Sequence, residues 1–148
     1  MLAAEPPKKD ERKAKPQQNS AVSQMTTLTS LSEDGTYILA RVVGDQTLDM
    51  ARQGFTDVAA LIATTGVTKV LVDTRQQRVA MSTADAYEAA MLATQPAFAN
   101  AIFAVVVPGE LPLPHFIETV ANNRGVRGRY FNDYLQALAW LGVAGNGR

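Results

Sequence analysis

Ser82 and Thr83 stand where a polar bend gives way to the helical stretch STADAYEAAM. A hydroxyl at a helix start has two chemical uses. It can accept from a free backbone N–H of the first turn, and Ser82 with Asp85 three residues on has the spacing of a capping box. It can also carry a phosphate, which the free N–H groups and the helix dipole would hold. A cap and a phosphorylation site at Ser82 or Thr83 therefore both stand as readings.

A second constellation comes from Asp73 and Arg75, where the apolar run VTKVLVD gives out. Open α/β sheets gather ligands at the carboxyl ends of their strands. There the planar fork of Arg75 suits a carboxylate or phosphate, and Tyr87, one turn into the next helix, can overhang the crevice. The structural alternative has Asp73 accepting loop N–H groups and Arg75 pairing with Glu88 or Asp85. Arg124, Arg127 and Arg129 form a basic cluster that fits either anion recognition or a helix end. Asp73, Arg75, Tyr87 and Arg124 are thus the candidate residues for a ligand or protein partner.

His115 is the only histidine and the chain has no cysteine, so a zinc site with its three or four ligands has nothing to build on. No EF-hand spacing, P-loop, G-x-G-x-x-G or G-x-S-x-G occurs. Neither a metal nor a cofactor is expected, and no catalytic residue is assigned. An enzyme would need Asp73, Tyr87, Glu110 or His115 to converge in space.

These residues sit in a chain of 148, enough for one compact domain, with 47% apolar and 19% charged residues. The absence of cysteine suits a reducing compartment. With no secretory leader pattern at Met1 and no apolar run long enough to cross a bilayer, the expectation is a cytoplasmic protein without membrane insertion. Formal charge is zero, but residues 1–24 carry five basic against three acidic side chains and the remainder nine against eleven. An acidic body with few aromatics offers nothing for nucleic acid.

Residues 1–24 are polar and proline-punctuated, which predicts a disordered tail, and residues 144–148 a flexible end. Between them, MTTLTSL and TYILARVVG flank an Asp34-Gly35 turn and predict a hairpin whose second strand is interior. Thr47 caps a helix with an inward stripe through Leu48, Ala51, Phe55, Val58 and Ile62, stopped at Gly66. VTKVLVD is a buried strand ending at Asp73, and AIFAVVVP is another. Pro112 and Pro114 fit the first turn of a helix carrying Phe116, Ile117 and Val120. GRYF is a last strand, after which Asn132 caps DYLQALAWL, with Trp140 and Leu141 packing on the sheet. The order β-β-α-β-α-β-α-β-α predicts a mixed, mainly parallel five-stranded sheet with about four helices, over residues 25–143.

The segments VLVDTRQQ, MSTADAYEAA, ETVANNRGVRGRYFND and ALAWLGV, in that order, resemble the STAS family. The resemblance is to its anti-anti-sigma-factor-like branch, which is grouped with CRAL-TRIO lipid-transfer domains. In that branch a serine at the start of the helix after the third strand is phosphorylated by a partner kinase. The resemblance puts Ser82 or Thr83 near that point, although RVAMSTAD replaces the usual acidic-Ser-Ser-Gly signature. It implies a non-catalytic regulatory module that binds a protein partner through the Ser82 helix. The alternative is a binder of a small amphiphilic, lipid-like or anionic ligand at the carboxyl edge, with Phe103 and Met91 along its apolar body. An enzyme ranks third.

Overall fold

The computed structural model describes residues 25–45, 47–77, 82–109 and 113–143. The expectations for residues 1–24, for Glu110 and Pro112 and for residues 144–148 lie outside that set. Strand β1 (Met25–Leu31) turns into β2 (Ile38–Gly44) through a loop knotted on one carboxylate. Asp34 Oδ1 accepts from Ser32 Oγ at 2.8 Å and Thr36 Oγ1 at 2.7 Å, and Gly35 takes the left-handed φ of 74° that the reversal needs. The two strands pair antiparallel, Leu28 opposite Arg41.

Helix α1 (Leu48–Thr65) starts as expected on Thr47, whose hydroxyl accepts from Met50 N, and stops at Gly66 in the left-handed region. Strand β3 (Lys69–Gln77) follows, then α2 (Thr83–Met91), two short 3₁₀ turns over Leu92–Thr94 and Pro96–Phe98, and β4 (Ile102–Val106). Helix α3 (His115–Asn123) and β5 (Arg127–Phe131) lead to α4 (Tyr134–Leu141). The sheet runs β1-β2-β3-β4-β5, parallel except for β1, so the predicted topology holds.

Strand alternation divides the core in two. Ile38, Ala40, Val70 and Phe103 face α1, α2 and α3, where the Phe55, Phe98 and Phe103 rings meet at 5.2–5.8 Å. Leu71, Ala104, Val106 and Phe131 face the other way, under Ala137, Leu138 and Leu141 of α4. On the first face α1 settles closely onto β1, because a Cβ at Gly54 would come within 3.2 Å of Thr27 Cγ2.

Three local expectations are corrected. The cap of α4 is Asp133, whose Oδ1 accepts from Gln136 N at 3.1 Å, while Asn132 Nδ2 donates to the Pro108 carbonyl. Leu141 is buried, but Trp140 is 38% exposed, packing its ring beside Phe131, and Leu135 is 64% exposed. Both lie off the stripe of Tyr134, Ala137, Leu138 and Leu141 that a helical period turns to the sheet. Finally, β3 does not stop at Asp73. It runs four residues past β4's last partner, because β2 continues beside it to pair Gly44 with Gln77.

Candidate functional site

The sheet face under α1–α3 is not filled. A cavity of about 370 Å³ lies between the strands and these helices. Its floor includes Val42, Val72, Thr74, Phe103 and Val105. Its walls are Met50, Gly54 and Phe55 of α1, Ala86, Ala89 and Ala90 of α2, and Ile117 and Glu118 of α3. Gln77, Thr83, Pro108 and Pro114, all at the carboxyl ends of strands or the starts of the following helices, line it at that edge.

Side-chain size makes the space. Helix α2 turns alanines to the sheet, and Gly54 and Gly128 leave further room. In a packed interior such truncations collapse or cost stability, so a retained void of this size in an apolar lining suits an occupant.

Two polar side chains of the lining are held by hydrogen bonds, whereas the buried Thr27 hydroxyl has no hydrogen-bond partner among the described residues. Thr74 Oγ1 donates to the Val106 carbonyl at 2.8 Å, holding the end of β3 to β4. Glu118 Oε2 accepts from Tyr130 N at 2.8 Å, which occupies an N–H on the outer strand β5. Its other oxygen lies 3.8 Å from Nδ1 of His115, itself exposed. Burial, and then the nearby Glu118 charge, push the Tyr130 hydroxyl pKa up, so it stays a neutral donor. The site thus combines apolar walls with a carboxylate and hydroxyls, without any nucleophile–base pair in hydrogen-bond contact among the described residues.

Ser82 is the N-cap of α2: its Oγ accepts from Asp85 N at 3.1 Å. Both Ser82 and Thr83 are exposed, and Thr83 borders the cavity. Tyr87 is half-buried on α2 but is not part of the lining. Phe103 is, whereas Met91 packs into the hydrophobic cluster beside it.

The structure does not bring the four candidate binding residues together. Asp73 and Arg75 point to the α4 side of the sheet. There Arg75 Nε and Nη2 donate to the two Asp73 carboxylate oxygens, both at 2.9 Å, and the guanidinium lies 4.6 Å over the Tyr134 ring. This replaces the pairing of Arg75 with Glu88 or Asp85. Asp73 is 3% exposed. Burial alone would raise its pKa, but hydrogen bonds and charge from Arg75 outweigh that and hold it below the usual carboxylate value. Burial, and then the neighbouring Tyr134 hydroxyl, push the Tyr37 pKa well up. Arg124 caps the far end of α3, away from the cavity edge, and Arg127 and Arg129 lie on β5 facing the α4 side. Arg127 there donates to the Asn100 carbonyl. The cavity itself was missed in the sequence; the alanines of α2 at helical spacing were its one available signal.

A scan against family models finds none that matches, and no curated protein matches the sequence. Among solved structures, the chain is similar to a protein of the DUF3478 family with a SpoIIAA-like fold from Shewanella loihica PV-4. The TM-score is 0.50 at 22% identity, covering 79% of this chain and 93% of the other. The chain therefore has the SpoIIAA-like fold, which is the fold of STAS and anti-anti-sigma domains. Among the described residues no helix is long and apolar enough to cross a membrane, and no group of acidic and histidine side chains is placed to hold a metal ion.

Proposed function

We propose that this protein is a non-catalytic STAS-type regulatory module whose working part is the cavity under α1–α3, and that it holds one small, mainly apolar or amphiphilic molecule there. The observation that carries this is the cavity itself: about 370 Å³, walled by alanine, phenylalanine and valine side chains. That volume falls at the lower end of ligand pockets, roughly 300–1,000 Å³, so the occupant is small. A polar head would sit at the carboxyl edge near Gln77, Thr83 and Glu118, with the apolar body over Phe103. A cytoplasmic setting fits the cysteine-free chain.

Thermal unfolding with straight-chain alkanols and alkanoic acids of increasing length tests this. A ligand bound only by the folded state at a hundredfold excess over its Kd adds about 2.7 kcal/mol. Stabilisation should climb with chain length and then fall once the tail outgrows the space. A flat response across both series contradicts the proposal.

One observation supports a second reading, recognition of a protein partner at α2. The exposed Ser82 and Thr83 begin the same helix whose inner face walls the cavity. A phosphate there would meet free N–H groups but also Asp85, one turn on. Intact-mass measurement on protein from its native host tests it: an added phosphate mapping to Ser82 or Thr83 supports the switch, and an unmodified chain under all growth conditions removes it.

A further inference from the structure

Among the described residues, the side of the sheet away from the cavity is only partly covered. Helix α4 packs chiefly on β3, β4 and β5, with Leu39 of β2 at the edge of its cluster, and the described elements leave the rest of β1 and β2 uncovered on that face. Strand alternation sends Leu28, Leu39, Arg41 and Val43 to this side, and Leu28 is 51% exposed. Leu135, on the flank of α4, is 64% exposed. Two strands spaced about 4.8 Å apart form a shelf roughly 10 Å wide, which is the width of one α-helix.

Arg41 stands in the middle of that shelf with no hydrogen bond or ion pair among the described residues. Its register partner on β3 is Asp73, but both oxygens of that carboxylate are taken by Arg75. Arg41 therefore shares the charge of Asp73 with Arg75, two cations to one carboxylate. A floor of Leu28, Leu39 and Val43 with this excess positive charge at its centre is complementary to an apolar stripe carrying an acid. Covering Arg41 with an uncharged or basic surface would bury a cation whose nearest carboxylate is already hydrogen-bonded to Arg75.

We propose that this shelf is a docking site for an acidic amphipathic helix of another protein, which lies beside α4, packs its apolar stripe on Leu28, Val43 and Leu135, and gives a carboxylate to Arg41. Other occupants fit less well. The chain's own residues 1–24 are net basic, five against three, and almost free of large apolar side chains. A second copy related by a two-fold axis through the shelf would set Arg41 against Arg41, and like charges oppose such contacts.

Two synthetic helical peptides test the proposal on the full chain by fluorescence anisotropy: one with a leucine stripe flanked by glutamates, and the same peptide with lysines in place of the glutamates. The glutamate peptide should bind, more weakly as salt rises. Arg41→Glu should lower its affinity about tenfold and improve binding of the lysine peptide, as a reversed charge contact does. Leu28→Asp should also weaken it, and since both side chains are exposed, circular dichroism should show an unchanged fold. Failure of the glutamate peptide to bind, equal binding of both peptides, or indifference to Arg41→Glu overturns the proposal. Binding to vesicles containing phosphatidylserine without peptide binding would mark a membrane face instead. Dimerisation in sedimentation that Leu28→Asp abolishes would mark a self-interface. Either result overturns the helix-docking assignment.

Discussion

At the scale of single residues, Ser82 and Asp73 each do measurable structural work. The Ser82 hydroxyl accepts from Asp85 N at the start of α2, so Ser82→Ala should cost about 1 kcal/mol in urea unfolding. Asp73 is different because its charge is buried and held by Arg75. Removing it with Asp73→Asn should cost roughly 1.5–3 kcal/mol near neutral pH, as lost charge-assisted hydrogen bonds do. Since the folded-state pKa is depressed, this stabilisation is fully present above the unfolded value of about 4 and is lost as pH falls toward the folded one. The gap in stability between wild type and Asp73→Asn should therefore narrow as pH is lowered below about 4, a comparison that urea titrations at stepped pH provide. The Asp73–Arg75 pairing was within reach of the sequence. Residues two apart in a strand share a face, but the apolar run ends at Asp73, and only the longer β3 keeps Arg75 in extended backbone.

At the scale of elements, α2 is the unusual piece. Its inward face is built of Ala86, Ala89 and Ala90, which line the cavity together with Val42, Val72, Thr74, Phe103 and Val105 of the sheet. Enlarging an alanine in a close-packed core costs about 1–3 kcal/mol. Here the added methylenes enter existing space, so the double variant Ala86→Leu, Ala90→Leu should melt no lower than wild type while binding the best alkanoic acid about tenfold more weakly. A drop in melting temperature of many degrees would mean that α2 is already closely packed. Strands and helices were legible because apolar periods of two and 3.6 residues repeat cleanly, and caps at Thr47 and Ser82 sit where sequence places them. The void was not. A cavity is an absence summed over many elements, and no local pattern of residues displays it.

At the scale of the whole molecule, zero formal charge conceals a division between the two faces of the sheet. Asp49, Asp57, Asp85, Glu88 and Glu118 belong to the helices over the cavity, whereas Arg41, Arg75, Arg127 and Arg129 rise from the strands on the α4 side. The sequence shows the counts but not this separation, which depends on strand register. Ligand and macromolecular partner would then use opposite surfaces, and the Glu118 carboxylate in the cavity lining favours neutral or cationic head groups over anionic ones. Accordingly, an alkanol should stabilise the protein more than the alkanoate of the same length at pH 7. Native mass spectrometry of the full chain after incubation with a lipid extract, followed by the same measurement on the variant Ala86→Leu, Ala90→Leu, tests the central claim most directly. The account predicts a single adduct per chain on the wild type that the filled variant lacks. Wild-type protein that remains free of adducts, or a filled variant that keeps them, would contradict it.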